Sequence, residues 1–156
     1  MADKHQIERA VEEARQLLAE HGIECRTTAD ELKLWFEADT LYPDITLDEV
    51  LKLKLIVVHE IVEISEVRKL GLELTKDVIL KNLDAVDSAH LVAADVEMNL
   101  ASKLGEANHM RDRIHDIEKW CVDESVSEGN RRKYRVLLAR TKAALELMDA
   151  KARKEV

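Results

Sequence analysis

Two pairs of acidic residues have a spacing that suits a divalent cation. Glu60 and Glu63 lie three positions apart, and Asp84 and Asp87 repeat this spacing after residues 64–83. Side chains three apart are neighbours on one side of an α-helix, so both members of a pair can close on one ion. Mg²⁺ and Mn²⁺ are hard cations that prefer carboxylate oxygens. The spacing therefore predicts an acidic site for Mg or Mn, unless the acids pair with Lys or Arg instead.

Histidines accompany both pairs and widen the set of candidate ligands. His59 lies four residues before Glu63, so one helix face offers a nitrogen and an oxygen to a metal, as in hemerythrin-like bundles and carboxylate-bridged di-iron proteins. His90 follows Asp87 by three residues, and Glu97 continues the same file along a mostly apolar side. We therefore include His59 and His90 among the candidate metal ligands.

Two long predicted helices, the third and the fourth along the chain, carry these residues. The third follows a capping-box pattern at residues 46–49, and its apolar residues keep a helical period over residues 50–67. Residues 51–55 alternate as a strand does, but the cap before them and the period after them favour a helix. The fourth predicted helix runs over about residues 76–104 and ends at Gly105.

In each of these helices, one acid of the pair falls among apolar residues. Glu60 lies on the apolar arc of the third helix, whereas His59 and Glu63 lie on its polar stripe. Asp87 lies on the apolar side of the fourth helix, whereas Asp84 lies on an edge stripe. A buried carboxylate must be protonated, paired with a cation or bound to a metal. Because the intervening loop is short, we expect an antiparallel helix pair with acids facing a shared interior.

The composition indicates an all-α protein. The chain has 156 residues with four Gly, one Pro and 3% aromatic residues, which is too little turn-forming and aromatic material for an all-β fold. A chain of this length closes one core more often than two. We therefore expect a single-domain bundle of about six helices over residues 1–156, with a central long antiparallel pair and the metal-site core at residues 46–105. The other four predicted helices cover about residues 7–18, 28–40, 107–121 and 129–148. Tyr42-Pro43-Asp44 breaks the helical pattern after the second predicted helix.

Net charge, hydropathy and cysteine content limit the classes of partner and the compartment that we expect. The formal net charge is −8, which disfavours binding to nucleic acid or to an anionic membrane surface. No uncharged apolar run is long enough to span a bilayer, and the first residues are charged throughout, so we expect a cytoplasmic protein. Cys25 and Cys121 lie far apart with no CxxC motif and no Cys/His cluster, and we expect both to be buried thiols.

The two acid pairs resemble the signature of a known enzyme family. Glu60-Ile-Val-Glu63, followed by residues 64–83 and Asp84-Ala-Val-Asp87, is similar to the ExxE…(E/D)xxD signature of the MazG-like all-α nucleoside triphosphate pyrophosphohydrolases. The resemblance covers about residues 46–105. It implies Mg²⁺ held by Glu60, Glu63, Asp84 and Asp87, with Glu60 and Glu63 catalytic. It also implies a nucleotide substrate, attack of water between the α and β phosphates, and a homodimer.

Two alternatives remain open. The stretch that contains His59-Glu60-Ile-Val-Glu63 is similar to the helix with the HDxxE motif of HD-type metal phosphohydrolases, with Glu60 where Asp is usual. A third possibility is a non-catalytic helical scaffold, whose apolar surplus on the third and sixth predicted helices forms an oligomer interface. Metal-dependent stabilisation distinguishes the two enzyme hypotheses from the scaffold.

Overall fold

The chain folds into α-helices joined by short turns. The computed structural model describes residues 1–41 and 45–155, and no β-strand occurs among them. The all-α fold class is therefore confirmed. Eight helices are described instead of about six, because two of the predicted helices are each divided in two. The bounds are α1 Lys4–Glu20, α2 Ala29–Glu37, α3 Leu47–Val50, α4 Lys54–Lys69, α5 Val78–Lys81, α6 Leu83–Leu104, α7 Ala107–Val122 and α8 Glu128–Lys154. The predicted break at Tyr42-Pro43-Asp44 lies outside the described residues.

The third predicted helix is interrupted between α3 and α4. Leu53 takes an extended conformation, with φ −125° and ψ 100°, immediately before α4. Val50 and Leu55 are both buried, although in a continuous helix residues five apart would point about 140° away from each other. The extended residue resets the helical phase, so that both side chains face the interior. The prediction of an unbroken helix through this alternating segment was therefore wrong.

The fourth predicted helix is interrupted at Asn82. The Asn82 side-chain Nδ2 donates a hydrogen bond of 2.9 Å to the carbonyl oxygen of Val78. This bond satisfies the carbonyl of Val78, the first residue of the four-residue helix α5. Helix α6 begins directly after Asn82. The C-terminal end at Leu104 agrees with the prediction, because Gly105 follows in the left-handed region with φ 73°.

Local sequence signals mark the start of α2 and the end of α4. The backbone N–H of Glu31 donates to Thr28 Oγ1 at 3.2 Å, and the Thr28 N–H donates to Glu31 Oε1 at 3.0 Å, so the predicted capping box at the start of α2 is confirmed. Gly71, just after α4, has φ 81°. Only glycine adopts this conformation without a steric cost, which fixes the end of α4.

The chain comprises two compact units, residues Met1–Ala93 and Ala94–Val156. In the first unit, α4 packs against α1, α2 and α3. A helix covered on several sides is apolar nearly all round, and this holds for α4. Its buried residues are Leu55, Ile56, Val57, Val58, His59, Ile61, Val62, Glu63, Ile64 and Val67. Two polar side chains of α4, His59 and Glu63, are thus buried among apolar ones, whereas Lys54, Arg68 and Lys69 at its ends are exposed. The single-domain expectation stays a prediction.

In the second unit, α7 packs against α8. Met110 and Ile117 of α7 are buried, as are Tyr134 and Leu137 of α8. Cys121 is buried in this unit and Cys25 in the first, both as free thiols, which confirms the expectation. Within the described ranges, no helix combines the length and apolar character that crossing a membrane requires.

Candidate metal centre

Three of the candidate ligands converge within the first unit. His59, Glu63 and His90 each present one ligand atom, and these atoms lie within 4.8 Å of one another. Among the residues that the structure describes, no other group of three or more His, Cys, Asp or Glu side chains has this arrangement. The Nε2 atom of His59 lies 3.4 Å from Oε2 of Glu63. The rings of His59 and His90 meet edge to face, with centroids 4.7 Å apart.

Helix α4 positions two of these ligands through its periodicity and its burial. His59 and Glu63 are four residues apart and therefore lie on successive turns of the same face. Their exposed fractions are only 2% and 5%, because three helices cover α4. Between them, the Ile61 carbonyl accepts a hydrogen bond of 2.6 Å from the buried hydroxyl of Thr27. This contact anchors α4 to the segment before α2 at the level of the site.

The spacing of His59 and Glu63 fits a shared metal ion. The N···O distance of 3.4 Å is longer than the usual range of about 2.7–3.2 Å for an N–H···O hydrogen bond. A tetrahedral ion with metal–nitrogen and metal–oxygen distances of about 2.0–2.1 Å separates two ligands by about 3.4 Å. The pair is thus spaced as two vertices of such a tetrahedron. The ligand atom of His90 lies within the same 4.8 Å limit, so His90 would be the third ligand.

The donor set determines which ions fit. Two imidazole nitrogens and one carboxylate oxygen suit Zn²⁺ and Fe²⁺, whereas Mg²⁺ favours oxygen ligands in an octahedron. Three protein ligands also leave at least one coordination position open, as in catalytic zinc sites. Comparisons with family models, curated proteins and solved structures found no match for this chain. The chemistry proposed below is argued from the site itself and from the motif resemblances.

The other predicted ligands do not belong to this group. Glu60 and Asp87 are half-buried, and Asp84 is exposed. Glu60 is rotated about 100° around α4 from His59, and Asp87 lies one turn before His90 on α6. None of these three acids belongs to the converging group, although each takes part in an interaction with another group. Their role as metal ligands stays a prediction.

A second buried acid, Glu97, lies in the other unit and has different partners. Its side chain is fully buried. Arg113 donates to both of its carboxylate oxygens, from Nε at 2.7 Å and from Nη2 at 3.0 Å. His109 Nε2 lies 2.6 Å from Oε2 of the same carboxylate. Arg113 also donates to Asp116 at 3.0 Å and stacks over the Trp120 ring at 5.2 Å from its centroid.

This second cluster behaves as a structural ion pair. Burial by itself lowers the pKa of Arg113, but the carboxylates of Glu97 and Asp116 outweigh it, and the Arg113 pKa stays above its usual value. The buried carboxylate is thus neutralised by a permanent cation. The sequence placed Glu97 on an apolar face but did not identify its partners. The only signal was that His109 and Arg113 are four residues apart and therefore share a face of α7.

Proposed function

We propose that this chain is a metal-dependent phosphohydrolase whose centre consists of His59, Glu63 and His90. The observation that carries the proposal is the convergence of these three ligand atoms within 4.8 Å in a largely buried position. The imidazole ligands favour Zn²⁺ or Fe²⁺ over the Mg²⁺ or Mn²⁺ expected from the acid pairs. The two ligands of α4 and the one of α6 belong to different helices, and the antiparallel arrangement expected for this helix pair stays a prediction.

The reaction we propose is hydrolysis of a nucleoside triphosphate to the monophosphate and pyrophosphate. This choice rests on the resemblance of the two acid pairs to the pyrophosphohydrolase signature. A bound divalent ion would polarise a phosphoryl oxygen as a Lewis acid. Glu60, directly after His59, and Asp87, one turn before His90, lie next to the ligands in sequence. We assign them to positioning the attacking water and the nucleotide, with the chain acting as a dimer in the cytoplasm.

Metal binding is tested first by thermal unfolding of the chelator-treated protein. At a free Zn²⁺ concentration of 100 times its Kd, an ion bound only by the folded state stabilises it by about 2.7 kcal/mol, or about 5–10 °C in Tm for a chain of this size. Glu63→Gln preserves the side-chain volume but removes the charged ligand, so we expect it to abolish the rise. His5→Ala removes an exposed histidine of α1 and serves as the matched control. Equal melting curves with and without metal would favour the scaffold hypothesis.

Turnover is tested by pyrophosphate release from canonical and damaged nucleoside triphosphates with Zn²⁺, Fe²⁺, Mn²⁺ or Mg²⁺. We expect release that Glu63→Gln abolishes through loss of the metal, and that Glu60→Gln reduces while metal binding persists. Equal release by the wild type and both variants would mean that the assigned residues do not perform the reaction.

One observation favours a second candidate, the HD-type phosphohydrolase. The His59 side chain belongs to the converging group, and His59-Glu60-Ile-Val-Glu63 is the segment similar to the HDxxE helix. An enzyme of this class would release inorganic phosphate from a phosphomonoester, or open a phosphodiester, without producing pyrophosphate. Product analysis in the same screen therefore separates the two candidates.

A further inference from the structure

The ligands of the candidate centre do not balance the charge of a divalent ion. Imidazole binds metals in its neutral form, so Glu63 contributes the only negative charge among the three ligands. One positive charge of the ion then has no counter-charge within the group. Because His59 and Glu63 are almost completely buried, water screens this charge poorly, and an uncompensated charge in such a position is costly.

We propose that the open coordination position takes an anionic oxygen ligand, either a phosphate or a carboxylate from outside the chain. This inference rests on the proposed metal centre and names the chemistry of its ligand. An anionic oxygen would supply the missing negative charge at the coordination position that three protein ligands leave open. The predicted four-acid site, in contrast, would itself overcompensate the charge of the ion.

Access to this position lies on the side of His90. His59 and Glu63 are buried, but His90 is only half-buried. Its neighbours Asp87 and Leu91 on α6 are half-buried as well. The surface of α6 around His90 is therefore partly open to solvent, and we infer that a small anion reaches the ion from this side.

A carboxylate of the chain itself is the competing occupant. Glu60 directly follows His59, and Asp87 precedes His90 by three residues. Either carboxylate would balance the charge if it moved to the ion. Neither belongs to the converging group. Glu60→Gln and Asp87→Asn test this alternative, because each removes the negative charge with little change in side-chain volume.

The experiment uses the full chain loaded with Co²⁺, whose visible absorption bands report on coordination. Inorganic phosphate and acetate are titrated separately, with perchlorate at equal ionic strength as the weakly coordinating control. We expect saturable changes in the bands with phosphate, acetate or both, and none with perchlorate. By linkage, the apparent affinity for Co²⁺ should rise about tenfold when the anion is present at ten times its Kd. Comparing the two titrations distinguishes a phosphate ligand from a carboxylate ligand.

The outcomes separate this inference from the proposed function. If Co²⁺ does not bind the wild type, or binds Glu63→Gln equally well, both proposals fail. If Co²⁺ binds but neither anion changes the bands or the affinity, the anion proposal alone is overturned. The anion proposal is also overturned if anions bind to Glu60→Gln or Asp87→Asn but not to the wild type. In that case a carboxylate of the wild-type chain occupies the open coordination position. His5→Ala should retain the full wild-type response.

Discussion

At the residue scale, His90 is the residue that most clearly separates the observed group from the four-acid site. The two candidate ligands of α4 would reach an ion from one side only, and His90 of α6 would add a ligand from a second helix. Asp84, which the acid-pair pattern assigns to the metal, is exposed and lies outside the group. The two hypotheses therefore make opposite predictions for these two residues.

We expect His90→Ala to lower the affinity for Zn²⁺ by more than about 100-fold, because loss of a direct ligand exceeds the 10–100-fold effect of losing a group that only orients a ligand. Asp84→Asn should change the affinity less than about threefold, well below that range. Isothermal titration calorimetry measures both. The reverse order of effects would support the acid pairs as the true site.

At the element scale, glycines define where α4 ends and how α8 begins. Gly71 has φ 81° and no atom within 4 Å of an added Cβ, so its conformation alone restricts the residue type. Gly129 lies in the first turn of α8 without a positive φ, and an added Cβ there also meets no atom within 4 Å. The two positions thus differ in backbone conformation and not in available space.

We expect Gly71→Ala to destabilise the protein by about 1–2 kcal/mol, the cost of an L-residue in the left-handed region. Gly129→Ala should stabilise it by about 0.4–1 kcal/mol, because alanine restricts the unfolded chain at a compatible helical position. Urea unfolding followed by circular dichroism measures both changes. Equal effects of the two substitutions would contradict the role assigned to the end of α4.

At the scale of the whole molecule, each compact unit contains a buried acid, and the two acids are balanced differently. Glu97 in the second unit is held by Arg113, a permanent cation, with two hydrogen bonds. Glu63 in the first unit meets two imidazoles, which are neutral when they bind a metal. The salt-bridge explanation for buried acids thus applies to Glu97, whereas for Glu63 we propose the role of a metal ligand.

Arg113→Met should destabilise the protein by about 3–5 kcal/mol, because it leaves the Glu97 carboxylate buried without its main cation. Arg111→Met is the control on the same helix, since it removes an exposed ion pair with Asp149 and should cost less than about 1 kcal/mol. The double variant Arg113→Met with Glu97→Leu should recover much of the lost stability. Chemical unfolding of the three variants tests this, and a small effect of Arg113→Met would contradict the structural role of the pair.

The sequence by itself determined the helical class, the capping box at Thr28 and the end of α6 before Gly105. These features depend on backbone conformation and on hydrogen bonds between residues at most five apart, which the local sequence determines. The same holds for the shared face of His59 and Glu63. Only the tertiary structure decided that this polar face is buried, because the burial comes from α1, α2 and α3 packing on α4.

Tertiary packing also decided which residues on different helices meet. The ligand atom of His90 lies within 4.8 Å of those of His59 and Glu63. His109 and Arg113 contact the carboxylate of Glu97. Such contacts depend on the rotation and position of one helix relative to another. The breaks at Leu53 and Asn82 reset these rotations, so a wheel drawn through an unbroken helix assigns later faces with the wrong phase.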